Sequence, residues 1–130
     1  MIFLHDLLNT VVSEYQACGS RITCTPVPDN TDRDWIVLVK EGEWDTFCCT
    51  LFDSNWIQGG SSIPNECNTL SPDARFNSFT LDTDNIIATA SPEFYRRFVS
   101  ATHVAKRLNL LNKDDRIAVF QAVLYGTYYP

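Results

Sequence analysis

The chain has 130 residues, a hydrophobic fraction of 45% and a formal net charge of −6. This length and apolar content are sufficient for one core without stabilising cross-links, so we expect a single domain over residues 1–130. The excess of acidic residues disfavours unspecific binding to a nucleic-acid backbone.

The same sequence gives expectations about cellular compartment and zinc. No stretch is long and apolar enough to predict a membrane-spanning helix, so we expect no membrane partner. The start of the chain lacks a basic leader, which predicts a cytoplasmic protein without a signal peptide. The five cysteines are predicted to be free thiols there. None has Cys-x-x-Cys spacing and the chain has two histidines, so no structural zinc site is expected.

The first part of the chain is predicted to form a helix, a loop and a strand. Residues 2–17 carry apolar side chains every four positions along two adjacent rows, which predicts an amphipathic helix that ends at Gly19. The segment Thr23–Thr31 contains two prolines and is predicted to be irregular. Trp35–Val39 is apolar and rich in β-branched residues, as buried strands are.

The middle of the chain is predicted to hold a second helix and an antiparallel hairpin. The helix is Trp44–Phe52, whose apolar residues fall on one face. Glycines, prolines, asparagines and serines then predict irregular structure across residues 56–74. The hairpin pairs Arg75–Leu81 with Asn85–Thr89 through a turn at Asp82–Asp84.

Two helices are predicted to close the chain. The first begins at Ser91, because a capping serine is followed by a proline and then by an acid near the positive end of the helix dipole. Asn112 caps the second, which ends at Gly126. The order helix, strand, helix, hairpin, helix, helix predicts an α/β fold of the α+β kind, with a small mixed sheet, helices packed on one side of it and two added C-terminal helices.

Residues 18–39 carry the strongest chemical pattern. Gly19 lets the backbone approach a ligand, and exposed N–H groups in a Gly19-Ser20 turn would form an anion-binding concavity. Asp32 and Asp34 stand at the start of the predicted strand and would project to the same face. Two adjacent carboxylates repel each other unless they are solvated or share a cation, and Mg²⁺ binds through one or two carboxylates with substrate phosphates. The alternative is an ordinary acidic, proline-rich loop before a strand.

The Gly-Ser pair, the short spacer and the Asp-x-Asp that opens a strand resemble the nucleotidyltransferases of the DNA polymerase β type. The resemblance extends to small nucleotidyltransferases, many of them from bacteriophages, through Gly59-Gly60-Ser61, Asn85-Ile86-Ile87 and Pro92-Glu93-Phe94. It implies that residues 1–130 form one minimal nucleotidyltransferase core. For a viral protein it also implies action in the host cytoplasm.

The resemblance implies a role for each residue of the motif. Gly19 and Ser20 would hold the triphosphate, and Arg21 is placed to reach a phosphate through its planar guanidinium. Asp32 and Asp34 would bind Mg²⁺ or Mn²⁺ and take part in catalysis. These are the expected nucleotide-binding, metal-binding and catalytic residues at this end of the chain.

The family's chemistry also requires a third carboxylate, which lies on the strand that ends the hairpin. Alignment with the family pattern puts Thr83 at that position, between Asp82 and Asp84. We take Asp84 as the third catalytic carboxylate and Asp82 as the second choice, because either could reach the site from a turn or bulge. The alternative is that both acids only favour a turn. Thr80 stands where relatives often carry a basic residue, so one contact to phosphate that the resemblance implies is missing here.

The activity implied by the resemblance is metal-dependent transfer of a nucleoside monophosphate from a nucleoside triphosphate (NTP) to a hydroxyl acceptor. The acceptor could be a small molecule, RNA or protein. The short chain leaves little room for an acceptor domain, so a partner subunit, as in a homo-oligomer, could help to hold it. The alternative function is a nucleotide-binding or inhibitory protein-binding module that keeps the fold without catalysis, because the third acid is not clearly present.

Overall fold

The computed structural model describes residues 2–29, 31–59 and 76–126. The helices and strands of these residues are, in chain order, α1 (Ile2–Leu7), β1 (Val12–Cys18), α2 (Ser20–Thr23), β2 (Arg33–Val39), α3 (Trp44–Asp53), β3 (Ile57–Gly59), β4 (Phe76–Leu81), β5 (Asp84–Thr89), α4 (Pro92–Leu108) and α5 (Lys113–Tyr125). Most of the segment predicted to be irregular, including Gly60-Ser61, lies outside the described residues. None of the helices in the described ranges is long and apolar enough to cross a membrane.

The five strands form one mixed sheet in the order β1-β2-β5-β4-β3. The central strands β2 and β5 are parallel, and the three outer pairs are antiparallel. β4 and β5 form the predicted antiparallel hairpin, and β5 lies at the centre of the sheet. The predicted class is confirmed: the chain is α+β, with a small mixed sheet and helices packed on it.

Alternation along the central strands divides the buried side chains between two hydrophobic clusters. Ile36 and Ile87 belong to the cluster with helices α4 and α5, the two predicted C-terminal helices. Val37 and Ile86 point the opposite way and belong to the cluster that includes residues of α1 and α3. Helices α4 and α5 therefore cover one face of the sheet, and residues of α1 and α3 cover the other.

The caps of the two C-terminal helices follow the sequence prediction. The Oγ of Ser91 accepts a hydrogen bond from the backbone N–H of Phe94 at 3.2 Å, and the Oδ1 of Asn112 accepts one from the N–H of Asp114 at 2.8 Å. These bonds satisfy N–H groups that have no partner inside the helix. Local chemistry therefore fixes the start of both helices.

The predicted helix over residues 2–17 is wrong in its second half. α1 ends at Leu7, Asn9 takes a left-handed conformation with φ 70°, and Val12–Cys18 forms strand β1. β1 pairs with residues 34–39 of β2 and so supplies hydrogen-bond partners to a buried strand edge. That long-range pairing outweighs the local helical spacing of apolar residues.

Two shorter predictions also change. Ile57–Gly59, where glycines were expected to prevent regular structure, forms an edge strand paired with residues 78–80 of β4. The predicted turn Asp82–Asp84 is one residue too long, because Asp84 already pairs with Arg33 as the first residue of β5. The second difference decides which way the side chain of Asp84 points.

Candidate nucleotide and metal site

Gly19 lies directly against the carboxylate of Asp34. The preceding residue, Cys18, is paired with Asp34 across β1 and β2, so the chain leaves β1 beside this side chain. A Cβ atom at position 19 would collide with Oδ2 of Asp34. The φ of Gly19 is 78°, in the left-handed region that favours glycine. Both the space and the backbone conformation therefore require glycine here.

The residues after Gly19 are tied to the segment that carries Asp32. The hydroxyl oxygens of Ser20 and Thr31 are 3.0 Å apart. Nε of Arg21 donates a hydrogen bond to the carbonyl oxygen of Thr31 at 3.0 Å. Since Thr31 immediately precedes Asp32, these contacts hold the two halves of the sequence motif together.

Asn85 links the two aspartates. Its Nδ2 donates one hydrogen bond to Oδ2 of Asp32 at 3.1 Å and another to Oδ1 of Asp34 at 3.0 Å. Asn85 is the register partner of Asp34 across the parallel strands β2 and β5, so both side chains project from the α4 side of the sheet. Asp34 and Asn85 are half-buried, whereas Asp32 is exposed. The site therefore holds two carboxylates close together, with one side open to solvent.

The structure does not bring Asp84 to this pair. Asp84 is adjacent to Asn85 in β5 and therefore faces the opposite side of the sheet. There, Nε of Arg33 lies 2.9 Å from its Oδ1, and Nη2 of Arg33 donates to its Oδ2 at 3.0 Å. Asp82 is exposed in the turn with φ 54°. Neither candidate for the third carboxylate joins Asp32 and Asp34.

Asn85 is the site residue that the sequence prediction missed. The signal for it was the alternation of strand β5, in which residue 85 shares a face with Ile87 while residue 84 faces the other way. The sequence did not give the register between the parallel strands, so it could not show that Asn85 lies opposite Asp34. Thr80 is the next residue along this row, paired with Asn85 across β4 and β5.

The donor set suits a hard divalent cation. The described residues contain no group of three or more His, Cys, Asp or Glu side chains placed to hold a metal ion. Two carboxylates are nevertheless a fit for Mg²⁺ or Mn²⁺, because Mg²⁺ typically uses one or two carboxylates and completes its shell with phosphates and water. The oxygen-only chemistry of Asp32 and Asp34 agrees with this choice.

Two side chains outside the aspartate pair have raised pKa values and remain protonated near neutral pH. Burial raises the pKa of Tyr95 to about 12, and the nearby Glu14 and Cys18 add to the effect. Burial likewise raises the pKa of the Cys48 thiol, with further contributions from Asp45 and Cys49. Neither side chain is therefore poised as a base or an anionic nucleophile.

Comparisons with known proteins return no relative. A scan against protein-family models finds no match, and searches of curated proteins and of solved structures find none either. The similarity to nucleotidyltransferases therefore stays a prediction from the motif.

Proposed function

We propose that this protein is a metal-dependent nucleotidyltransferase that transfers a nucleoside monophosphate from an NTP to a hydroxyl acceptor. The observation that supports the proposal is the convergence of two parts of the motif. The backbone of Gly19 lies against the carboxylate of Asp34, and Asp34 shares the amide of Asn85 with Asp32. A ligand in contact with the Gly19-Ser20 turn would therefore lie beside both carboxylates.

Each residue has a role that follows from its position. Asp32 and Asp34 would hold Mg²⁺ or Mn²⁺, which when bound supplies charge neutralisation and orientation at the phosphates. The missing side chain at Gly19 leaves room for the carboxylate of Asp34 against the backbone, which brings the Gly19-Ser20 turn next to the aspartates. Ser20 and Arg21 would hold the remaining phosphates. The Nη groups of Arg21 are suited to this, because Nε alone makes the bond to Thr31.

The acceptor hydroxyl must also lose its proton. The amide of Asn85 cannot take up that proton near neutral pH, because an amide is not a base. Asp32 is the exposed member of the pair and is the carboxylate that an acceptor can approach from solvent. We assign this role to Asp32, with water as the final proton acceptor.

The acceptor class and the setting belong to the same proposal. The acceptor is a small molecule, RNA or protein, and a second copy of the chain in a homo-oligomer could help to hold it. The expected place of action is the cytoplasm, or the host cytoplasm for a viral protein. The resemblance of the motif to nucleotidyltransferases supports these statements.

A second candidate function is a non-catalytic module that binds nucleotides or inhibits a protein. Two observations favour it. An amide, Asn85, stands beside the aspartate pair where a third carboxylate was expected, and Asp84 is paired with Arg33 on the other face. Such a protein would bind an NTP with a divalent cation and release no pyrophosphate.

The discriminating experiment measures NTP binding and pyrophosphate release for the four NTPs with Mg²⁺ or Mn²⁺, with glycerol, RNA oligonucleotides and an unrelated protein supplied as hydroxyl acceptors. The test variant is Asp32→Ala/Asp34→Ala, and the matched control is Glu41→Ala/Asp53→Ala, which removes the same charge from two exposed positions. We expect release from the native chain and the control, and none from the test variant. Cation-dependent binding without release would select the module. Neither binding nor release by the native chain would refute the nucleotidyltransferase and the nucleotide-binding module.

A further inference from the structure

The amide of Asn85 bridges the two aspartates through one carboxylate oxygen of each. An amide has a donor end and an acceptor end, whereas ionised carboxylates only accept hydrogen bonds. The contacts at 3.1 Å and 3.0 Å therefore come from the Nδ2 end of Asn85. These two N–H groups offset part of the repulsion between Asp32 and Asp34, and they hold the carboxylates together before any ligand binds.

The negative charge beside this amide is limited to that pair among the described residues. Asp84 is the nearest other acid in β5, but it faces the opposite side of the sheet and lies against Arg33. Thr80, the partner of Asn85 on the other side, is neutral. Two carboxylates balance the charge of one divalent cation.

A second cation would meet a different environment. In two-metal sites the cations lie about 3.5–4 Å apart, so a second cation needs protein ligands of its own in addition to the phosphates of the NTP. On β5 the side chain next to Asp34 is an amide, which adds no negative charge. The described residues contain no third acid, histidine or cysteine placed to join the pair.

We propose that Asn85 restricts this site to a single divalent cation, held by Asp32 and Asp34, and that its amide is the positioning group for those two carboxylates. The inference rests on the proposed function, because the phosphates of the NTP complete the cation's shell. It goes beyond that function in fixing the number of cations and in naming the residue that sets it. Substitution of Asn85 by Asp would supply the missing charge and open a second cation position.

The experiment counts bound Mn²⁺ by electron paramagnetic resonance in the presence of a non-hydrolysable α,β-methylene NTP. We expect one Mn²⁺ per native chain and two per Asn85→Asp chain. Asn55→Asp is the matched control, because it makes the same chemical change at an exposed position in the turn after α3; we expect it to bind one. Asn85→Ala should also bind one Mn²⁺, roughly tenfold more weakly, because loss of a group that orients metal ligands typically has this effect.

The number of bound Mn²⁺ ions tests the single-cation site separately from the nucleotidyltransferase function. Two Mn²⁺ ions on the native chain, or one on a folded Asn85→Asp chain, would overturn the inference and leave the nucleotidyltransferase proposal standing. Absence of nucleotide-dependent Mn²⁺ binding by the native chain would overturn both. If Asn85→Asp does not fold, the Asn85→Ala variant decides: unchanged Mn²⁺ affinity would refute the positioning role.

Discussion

Substitution of Gly19 by alanine tests the contact on which the site is built. The change adds a Cβ that collides with Oδ2 of Asp34 and approaches its Cβ and Cγ, each at 2.9 Å. It also places a side chain on a residue with φ 78°. We expect the free energy of unfolding to fall, and metal-dependent NTP binding to weaken, because Asp34 must move away from Asp32.

The magnitude can be divided into two parts with a second glycine. Gly42 has nearly the same conformation, φ 79°, but nothing within 4 Å of an added Cβ. Gly42→Ala therefore measures the left-handed conformation alone, roughly 1–2 kcal/mol. Gly19→Ala should include that term and an overpacking term of about 1–3 kcal/mol, and so destabilise the protein more than Gly42→Ala does.

The assay is urea unfolding followed by circular dichroism, completed as a double-mutant cycle with Asp34→Ala. In the Asp34→Ala background the collision with Oδ2 is removed, so the effect of Gly19→Ala should fall toward that of Gly42→Ala. Equal destabilisation by the two glycine substitutions, or no coupling to Asp34, would show that Gly19 is not in close contact with Asp34.

Three further predictions concern the surroundings of the site. Asp84→Ala should lower the free energy of unfolding by no more than about 1 kcal/mol, because the side chain of Arg33 is 54% exposed and exposed ion pairs are weak. The variant should still bind Mn²⁺. A loss of Mn²⁺ binding as large as that caused by Asp34→Ala would mean that Asp84 is a metal ligand. The phenol of Tyr95 has a pKa of about 12 in the folded chain, above its ordinary value of 10.0, so its contribution to stability is complete below pH 10 and is lost as the pH rises toward about 12. In urea unfolding across this range, the free energy of unfolding should fall more steeply with pH for the native chain than for Tyr95→Phe. The same dependence on pH in both proteins would argue against the raised pKa. Phe79→Ala removes a fully buried ring that lies edge-on to Phe47, with centroids 6.1 Å apart, and should destabilise the protein by about 3–5 kcal/mol in the same assay; a change below 1 kcal/mol would mean that this cluster is not a packed core.

Sequence reasoning succeeded where local chemistry decides the structure. Ser91 and Asn112 are capping residues whose hydrogen bonds lie within a few positions of each helix start. The apolar, β-branched run at Trp35–Val39 can hardly avoid burial as a strand. The structure also brings Gly19 and Asp34 of the sequence motif into contact, while the roles expected of them stay predictions.

It failed where a distant partner decides. Val12–Cys18 has a spacing that also fits a helix, and only pairing with β2 makes it a strand. The roles expected of Asp84 depended on the register between β2 and β5, strands whose paired residues Asp34 and Asn85 lie far apart in the chain. A one-residue difference in that register exchanges the two faces of the sheet, and this places Asn85 rather than Asp84 beside the aspartates.

The most direct test of the account is a crystal structure with Mn²⁺ and an α,β-methylene NTP, in which anomalous scattering locates the cation. We predict one Mn²⁺ peak in contact with carboxylate oxygens of both Asp32 and Asp34, with triphosphate oxygens against the backbone of Gly19. A cation bound at other side chains, or a triphosphate bound away from Gly19, would contradict it.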